Sequence, residues 1–314
     1  MAENISSVGQ LPDTVEGITR KTAVSTRKAQ RRRQFRRTTD SVWAHGIMII
    51  TVIVCIFPLL VLISTSFKPV SDVFSTQLIP SNPTLSNYQF VLTNSSTPGS
   101  PPDFLIWLKN SLTIALLTTL VGLGLSAPAA YAISRWDFLG KQGVLLSFLI
   151  TQMFPGVLLI VPLYILFAQL GLLDNIFGLV IAYATTALPF SVWMLKNFFD
   201  AVPKELDEAA RVDGLGPFRT FWRVVLPLTI PGVAVVGFFN FMTSWNEFMM
   251  AFTFLTSNDA WTLPVGIQRY VNPFNIEWQY LTAAAVLTTI PVLIIFFWAQ
   301  RYLISGLTGG SVKG

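Results

Sequence analysis

Long stretches without a single Asp, Glu, Lys or Arg dominate this sequence: 41–67, 110–134, 142–173, 175–195 and 278–300. Each is mostly apolar and long enough to cross a hydrocarbon core about 30 Å thick, which takes about 20 residues at about 1.5 Å of rise each. A sixth stretch, 224–258, is as long and carries one charge, Glu247. The uncharged segment 73–102 differs, because Pro80, Pro83, Pro98, Pro101 and Pro102 sit among its Ser, Asn and Thr and make it a turn-rich loop. The expected fold is an all-α membrane protein with six transmembrane helices. Composition agrees: 52% of residues are apolar, mean hydropathy is +0.58 and only 12% are charged, against about 25% in soluble domains. So few charges cannot coat the surface of a soluble 314-residue chain. A disordered chain, a secreted disulfide scaffold and most cytosolic enzymes are excluded on the same grounds.

Six spans put both termini on one side, so Lys and Arg sort between two faces. Eighteen fall on the face of the termini, nine of them in residues 1–40, and only Lys68, Lys109 and Arg269 on the other. The positive-inside rule then places both termini in the cytoplasm. The run Arg27, Lys28, Arg31, Arg32, Arg33, Arg36 and Arg37 abuts the first span. A nucleic-acid arm would need a folded reader beside it, so a topology anchor touching anionic lipid is the favoured reading. The run is too long for the charged end of a cleavable signal, and no clear small-residue cleavage site follows. Prolines recur inside the spans at 58, 128, 155, 162, 189, 231 and 291, as suits helices that bend against one another or line a cavity. Gly122 and Ser126, four apart, would allow close helix contact.

Catalytic groups are scarce. The chain has one histidine, His45, read as interfacial, and one cysteine, Cys55, read as a small buried apolar residue. No H-E-x-x-H helix, no C-x-x-C pair and no P-loop is present, so neither a zinc site nor ATP hydrolysis by this chain is expected.

The polar segment 200–223 mixes Lys204, Glu205, Asp207, Glu208, Arg211, Asp213, Arg219 and Arg223 with apolar residues. Pro203 suits a first helical position, Gly214 a helix stop and Pro217 a second start, which predicts two short helices joined by a turn. Asp207 and Arg211 stand four apart and are expected to pair, with Leu206 and Ala210 forming a small apolar face. A solvated loop or a docking element would both fit this pattern. Glu208-Ala209-Ala210, then Gly214, then Leu226-Pro227 resemble the EAA loop of importer-type ABC transporter permeases. Val224 stands where that pattern usually has isoleucine. Across 43–314, the segments Ser244-Trp245-Asn246-Glu247-Phe248, Thr262-Leu263-Pro264-Val265-Gly266, Gln300-Arg301-Tyr302, Gly306-Leu307-Thr308 and Val312-Lys313-Gly314 are similar to MalG-type permeases of carbohydrate importers. The basic extension before Asp40 is not part of the resemblance.

That resemblance implies the type I ABC importer permease fold, with a permease domain at 41–305 containing an elbow at 200–227 and a tail at 306–314, behind the basic extension at 1–40. It implies that Glu208 pairs with a basic residue of an ATPase subunit, that Ala209 and Ala210 permit close approach, and that Gly214 makes the turn before Leu226 and Pro227. Gly306, Leu307, Thr308, Gly309, Gly310 and Lys313 would reach between the two ATPase subunits, the alternative being a frayed terminus. The loop 257–277 would enter the cleft of a sugar-binding protein, while Trp261, Tyr270 and Trp278 could instead anchor at the membrane interface. Asn240, Ser244 and Glu247 recur at helical spacing and, with Asn246, are candidates for the translocation path. For Glu247, a contact with a neighbouring helix or loop is an equal alternative. The implied partners are a second homologous permease, two ATPase subunits, an extracytoplasmic sugar-binding protein, the bilayer and an oligosaccharide, with no nucleic acid. No cofactor is expected on this chain, ATP and Mg being used by the ATPase subunits. The implied location is a bacterial or archaeal cell membrane. Maltose or maltodextrin is the implied cargo, another sugar or glycerol-3-phosphate the runner-up. An ion-gradient carrier is disfavoured because five of the six spans lack an ionisable midplane residue.

Overall fold

Apolar runs become helices here because, in lipid, each backbone N–H and C=O must find its partner within the segment. The computed structural model describes residues 43–272 and 275–309, with backbone alone at 272, 275 and 303–309. Among the described residues four helices are long and apolar enough to cross a bilayer: α1 Trp43–Ser66, then, past the short α2 Ser86–Thr93, α3 Asp103–Arg135, then α6 Ile176–Asp200 and α13 Trp278–Gly309. Two further spans are bent pairs, giving up to six in all. Cys55, expected to be buried, is exposed on α1, where a small apolar side chain suits contact with acyl chains.

The third expected span is broken. α4 Lys141–Met153 and the helical turns that lead into α5 Ile160–Gln169 meet at 97°. Phe154 takes an extended conformation there, as a residue before proline prefers, and Pro155 opens the next turn. The fifth is also bent, by 82°, between Pro217–Leu228 and α10 Ile230–Asn246. At the joint the Thr229 hydroxyl donates to the carbonyls of Val225 and Leu226, 3.0 Å each, a second donor to oxygens that also accept from the Thr229 N–H. Prolines 128, 189 and 291 lie inside unbroken helices. Among the described residues the spans bend beside Pro155 and Pro231.

α3 is the spine of the bundle. It packs along α6 and α10, and α10 in turn meets α13. At 33 residues it is about 50 Å long. Its start holds the loops of one face. Asp103 accepts from Ser96, from Asn258 Nδ2 at 3.2 Å and from Arg269 at 2.6 Å. Further along, Asn110 Nδ2 donates to the carbonyls of Asp259 and Trp261, and Ser111 accepts from Leu263 N. On the same face Asp174 accepts from Thr256 and Ser257 N–H. Desolvation pushes its carboxyl up, but these N–H donors outweigh that and hold it below the ordinary carboxylate range. The contribution of this contact is therefore present above that range and lost only on strong acidification.

The loop after Asn258 is thus folded back on α3. Its short helix α12 Leu263–Ile267 lays Gly266 against the buried Trp107, and a hairpin of Val271–Asn272 with Asn275–Ile276 follows. A Cβ at Gly266 would lie 2.1 Å from the Trp107 ring. Gly266→Ala is therefore expected to lower the thermal midpoint in detergent, by about 1–3 kcal/mol of overpacking. Gly143→Ala, with nothing within 4 Å, should leave it unchanged.

Candidate functional site

The segment between α6 and α10 builds an elbow. α7 Glu205–Val212 carries Glu205, Asp207 and Glu208 in its first turn, where acids complement the exposed N–H groups. It starts two residues after Pro203, not at it, because Lys204 supplies the capping turn. Its end follows the expected rule: Gly214 adopts φ +81°, its N–H bonds the Arg211 carbonyl and Leu215 N–H bonds the Ala210 carbonyl. α8 Pro217–Thr220 then begins on its proline and runs through a wide turn, Phe221–Val225, into α9 Leu226–Leu228, which contains Leu226 and Pro227.

α7 divides cleanly by face. Asp207 and Ala210 are buried, while Glu208, Ala209, Arg211 and Val212 point outward. Val212 is 88% exposed, and Phe218 and Trp222 follow on the next helical stretch at 72% and 53%. Ala209 and Ala210 therefore differ in setting: the first lies on the open face and the second against the bundle.

The expected Asp207–Arg211 pair does not form. Asp207 Oδ2 lies 2.9 Å from Arg135 Nε at the end of α3, and both side chains are less than a tenth exposed. The two atoms are close but off the hydrogen-bond axis, so the contact is a charge pair and not a directed bond. Arg135 directs its other nitrogens to the carbonyls of Phe199, 3.0 Å, and Val202, 3.1 Å, at the end of α6. Tyr131 donates to Asp207 Oδ1 at 2.6 Å, and its ring packs on Trp136, Phe199 and Phe221. Nearby, Ser134 donates to Asp200, which Lys196 also meets. Burial decided this outcome: an exposed i, i+4 pair contributes about 0.3–0.5 kcal/mol, whereas an unpaired buried guanidinium costs several. Sequence reasoning missed Tyr131 and Arg135. Their only local signal was a basic residue closing a long apolar span.

The four candidate path residues separate. Asn240 is fully buried and accepts from Ser191 of α6, while its Nδ2 abuts Gly122 of α3, where an added Cβ would sit 2.8 Å away. Ser244 is buried and bonds back to the Asn240 carbonyl. Asn246 is exposed at the end of α10. Glu247 leaves the shared helical face, because α10 stops at Asn246. Its carboxylate caps α11 Met249–Phe254, accepting from Met250 N at 2.8 Å and Ala251 N at 3.1 Å, and takes the Tyr183 hydroxyl of α6. Of its two open readings, the contact with neighbouring elements is the one formed.

In the tail, α13 continues as helix through Gly306, Leu307, Thr308 and Gly309, while Gly310 and Lys313 lie outside the described residues. In the opposite loop Tyr270 is buried and Trp261 half-buried, both within the core around Trp107, and Trp278 is exposed. Burial raises the Tyr270 phenol to about 12. Among the described residues no cluster of His, Cys, Asp or Glu could hold a metal ion.

An apolar bundle with bent spans and a polar elbow locked to its spine defines a membrane transport subunit. Residues 122–309 match the family described as binding-protein-dependent transport system inner membrane component. The chain is 39% identical over 286 residues to the maltose/maltodextrin transport system permease protein MalG of Vibrio parahaemolyticus, covering 87% of this chain and 96% of that one. It is 36% identical over 267 residues to the trehalose/maltose transport system permease protein MalG of Thermococcus litoralis, covering 85% and 94%. A crystal structure of a bacterial ABC transporter importing the acidic polysaccharide alginate shares the fold, with a TM-score of 0.71 at 21% identity over 95% of this chain and all of that one. The chain belongs to the family of binding-protein-dependent transport system inner membrane components.

Glu247→Ala would leave the buried Tyr183 hydroxyl and two N–H groups without an acceptor. A lost cap costs about 1 kcal/mol and a stranded buried donor about 1–3. A lower thermal midpoint in detergent with an unchanged KM for uptake is expected. A raised KM with unchanged melting would return Glu247 to the translocation path.

Proposed function

We propose that this chain is the membrane-spanning permease subunit of an ATP-binding-cassette importer for maltose/maltodextrin-like oligosaccharides. It forms half of the translocation pathway beside a second, homologous permease, and receives its energy through two ATPase subunits that bind ATP and Mg. The observation that carries this reading is the division of α7, with Asp207 and Ala210 fastened to the bundle and Glu208 and Ala209 presented outward. A knob of this kind, rigid at its base and open at its face, transmits a push that a loose loop would absorb. Glu208 meets a basic residue of the ATPase subunit, and Gly214, Leu226 and Pro227 shape the turn behind it. The tail 306–314, described only as far as Gly309, is assigned to contact with the same subunits in this reading.

Charge supports the orientation. Arg135, Lys196, Lys204, Arg211, Arg219 and Arg223 belong to the elbow end of the bundle, whereas Arg269 meets Asp103 at the opposite end of α3. The elbow and both termini therefore face the cytoplasm. The loop anchored on Asp103 faces an extracytoplasmic sugar-binding protein. Of the path candidates, Asn246 keeps an exposed side chain, and Asn240 and Ser244 set the contact between α10 and its neighbours.

The complete transporter, reconstituted in proteoliposomes, should show ATPase stimulation by its binding protein with maltose or maltodextrins and not with glycerol-3-phosphate. Glu208→Lys should leave the subunit in the membrane and abolish ATP-driven uptake. Uptake by the isolated subunit without nucleotide would overturn the assignment, and stimulation by another sugar alone would change the cargo.

A further inference from the structure

Two covalent routes join α7 to the bundle, and both contain a joint. On one side, residues 201–204 lead from α6 without helical continuity. On the other, Gly214 in its left-handed conformation leads to α8, and the 82° bend at Thr229 intervenes before α10. A push on the elbow would be taken up at these joints unless a side-chain contact bypassed them. One such contact is present: Asp207, on the inner face of α7, is held by Arg135 and Tyr131, both on the last turns of α3.

We propose that Tyr131, Arg135 and Asp207 are positioning residues that deliver motion of the ATPase-facing elbow to α3, the helix whose far end carries the outer loop. Geometry sets the direction of transfer. Arg135 also grips the Phe199 and Val202 carbonyls, and the Tyr131 ring touches both Phe199 and Phe221, so the ends of α3 and α6 and the turn after α8 close around one carboxylate. Movement of Asp207 therefore reaches α3 through these contacts. At the other end Asp103, in the first turn of α3, holds Ser96, Asn258 and Arg269. Events at the elbow and at the outer loop are joined by one continuous 33-residue helix.

This inference rests on the elbow being the ATPase contact, and the test separates the two. The complete transporter carrying Tyr131→Phe, Asp207→Asn or both is reconstituted, and three quantities are read: co-purification of the ATPase subunits, binding-protein-stimulated ATP hydrolysis, and maltose uptake per ATP hydrolysed. Tyr131→Phe removes one hydroxyl and keeps the ring packing, so it reports even if Asp207→Asn fails to fold. The expected result is intact co-purification with uptake per ATP reduced about fivefold or more in each single variant. The double variant should be no worse than Asp207→Asn, as members of one unit behave. Unchanged uptake per ATP, losses that multiply in the double variant, or loss of co-purification with Tyr131→Phe would each overturn the proposal. Glu208→Lys is run in parallel: if it leaves uptake intact, the elbow assignment itself fails, whatever Tyr131→Phe does.

Discussion

A guanidinium withdrawn from water must find its partners inside the protein, and Arg135 meets that demand with parts of three helices. It closes α3, where a cation complements the partial negative charge of a helix C-terminus. The carbonyls it bonds are those of Phe199 in the last turn of α6 and of Val202 just beyond it, at a second helix C-terminus. The acid it pairs with lies in the first turn of α7, at an N-terminus. Two negative ends and one positive end therefore converge, with charges of the right sign on each. Desolvating Arg135 and Asp207 costs several kcal/mol per ion before pairing. The contact yields little net stability and one defined placement of α7.

The bends follow from a similar scarcity of partners. A helix bent in a bilayer exposes carbonyls that water cannot reach, so bends occur where something local accepts the task. Thr229 does so at the fifth span with its own hydroxyl. The consequence is geometric. α10, at 17 residues, is only about 26 Å long and does not by itself match the hydrocarbon thickness, so it makes a span only together with the bent stretch Pro217–Leu228 before it. Glu247 is the acid that makes the break after α10 tolerable, since it supplies two N–H groups of α11 with an acceptor.

Spans were legible in the sequence because a missing charge over twenty residues is a one-dimensional signal, and the elbow because Pro217 and Gly214 act on the backbone beside them. The partner of Asp207 was not, since a neighbour four residues away is visible in a sequence while Arg135 is brought near only by the packing of α3 on α6. Glu247 fell on the expected face only as long as the helix was assumed to continue. Its end is set by Tyr183 and by the α11 amides, which are tertiary facts. Asp103 and Asp174 carry no local signal, because nothing in a sequence shows that Arg269 or the amides of Thr256 and Ser257 will arrive there.

Polar contacts of α3 concentrate at its two ends, with the buried Asn240 amide against its middle. Asp103 at its start and Arg135 at its close are both buried and both suit the helix dipole at their own end. Between them Gly122 admits the Asn240 amide, which Ser191 of α6 also meets. Apolar packing in lipid holds helices together with little preference for register, since acyl chains are as apolar as the side chains they replace. Two buried polar contacts, one at each end of one helix, remove that freedom, because a one-turn slip of α3 would strand both at once. The spine is consequently stiff in register while α10 beside it is bent off its preceding stretch, an arrangement that suits a subunit that rocks as a body and still carries a signal from one face to the other.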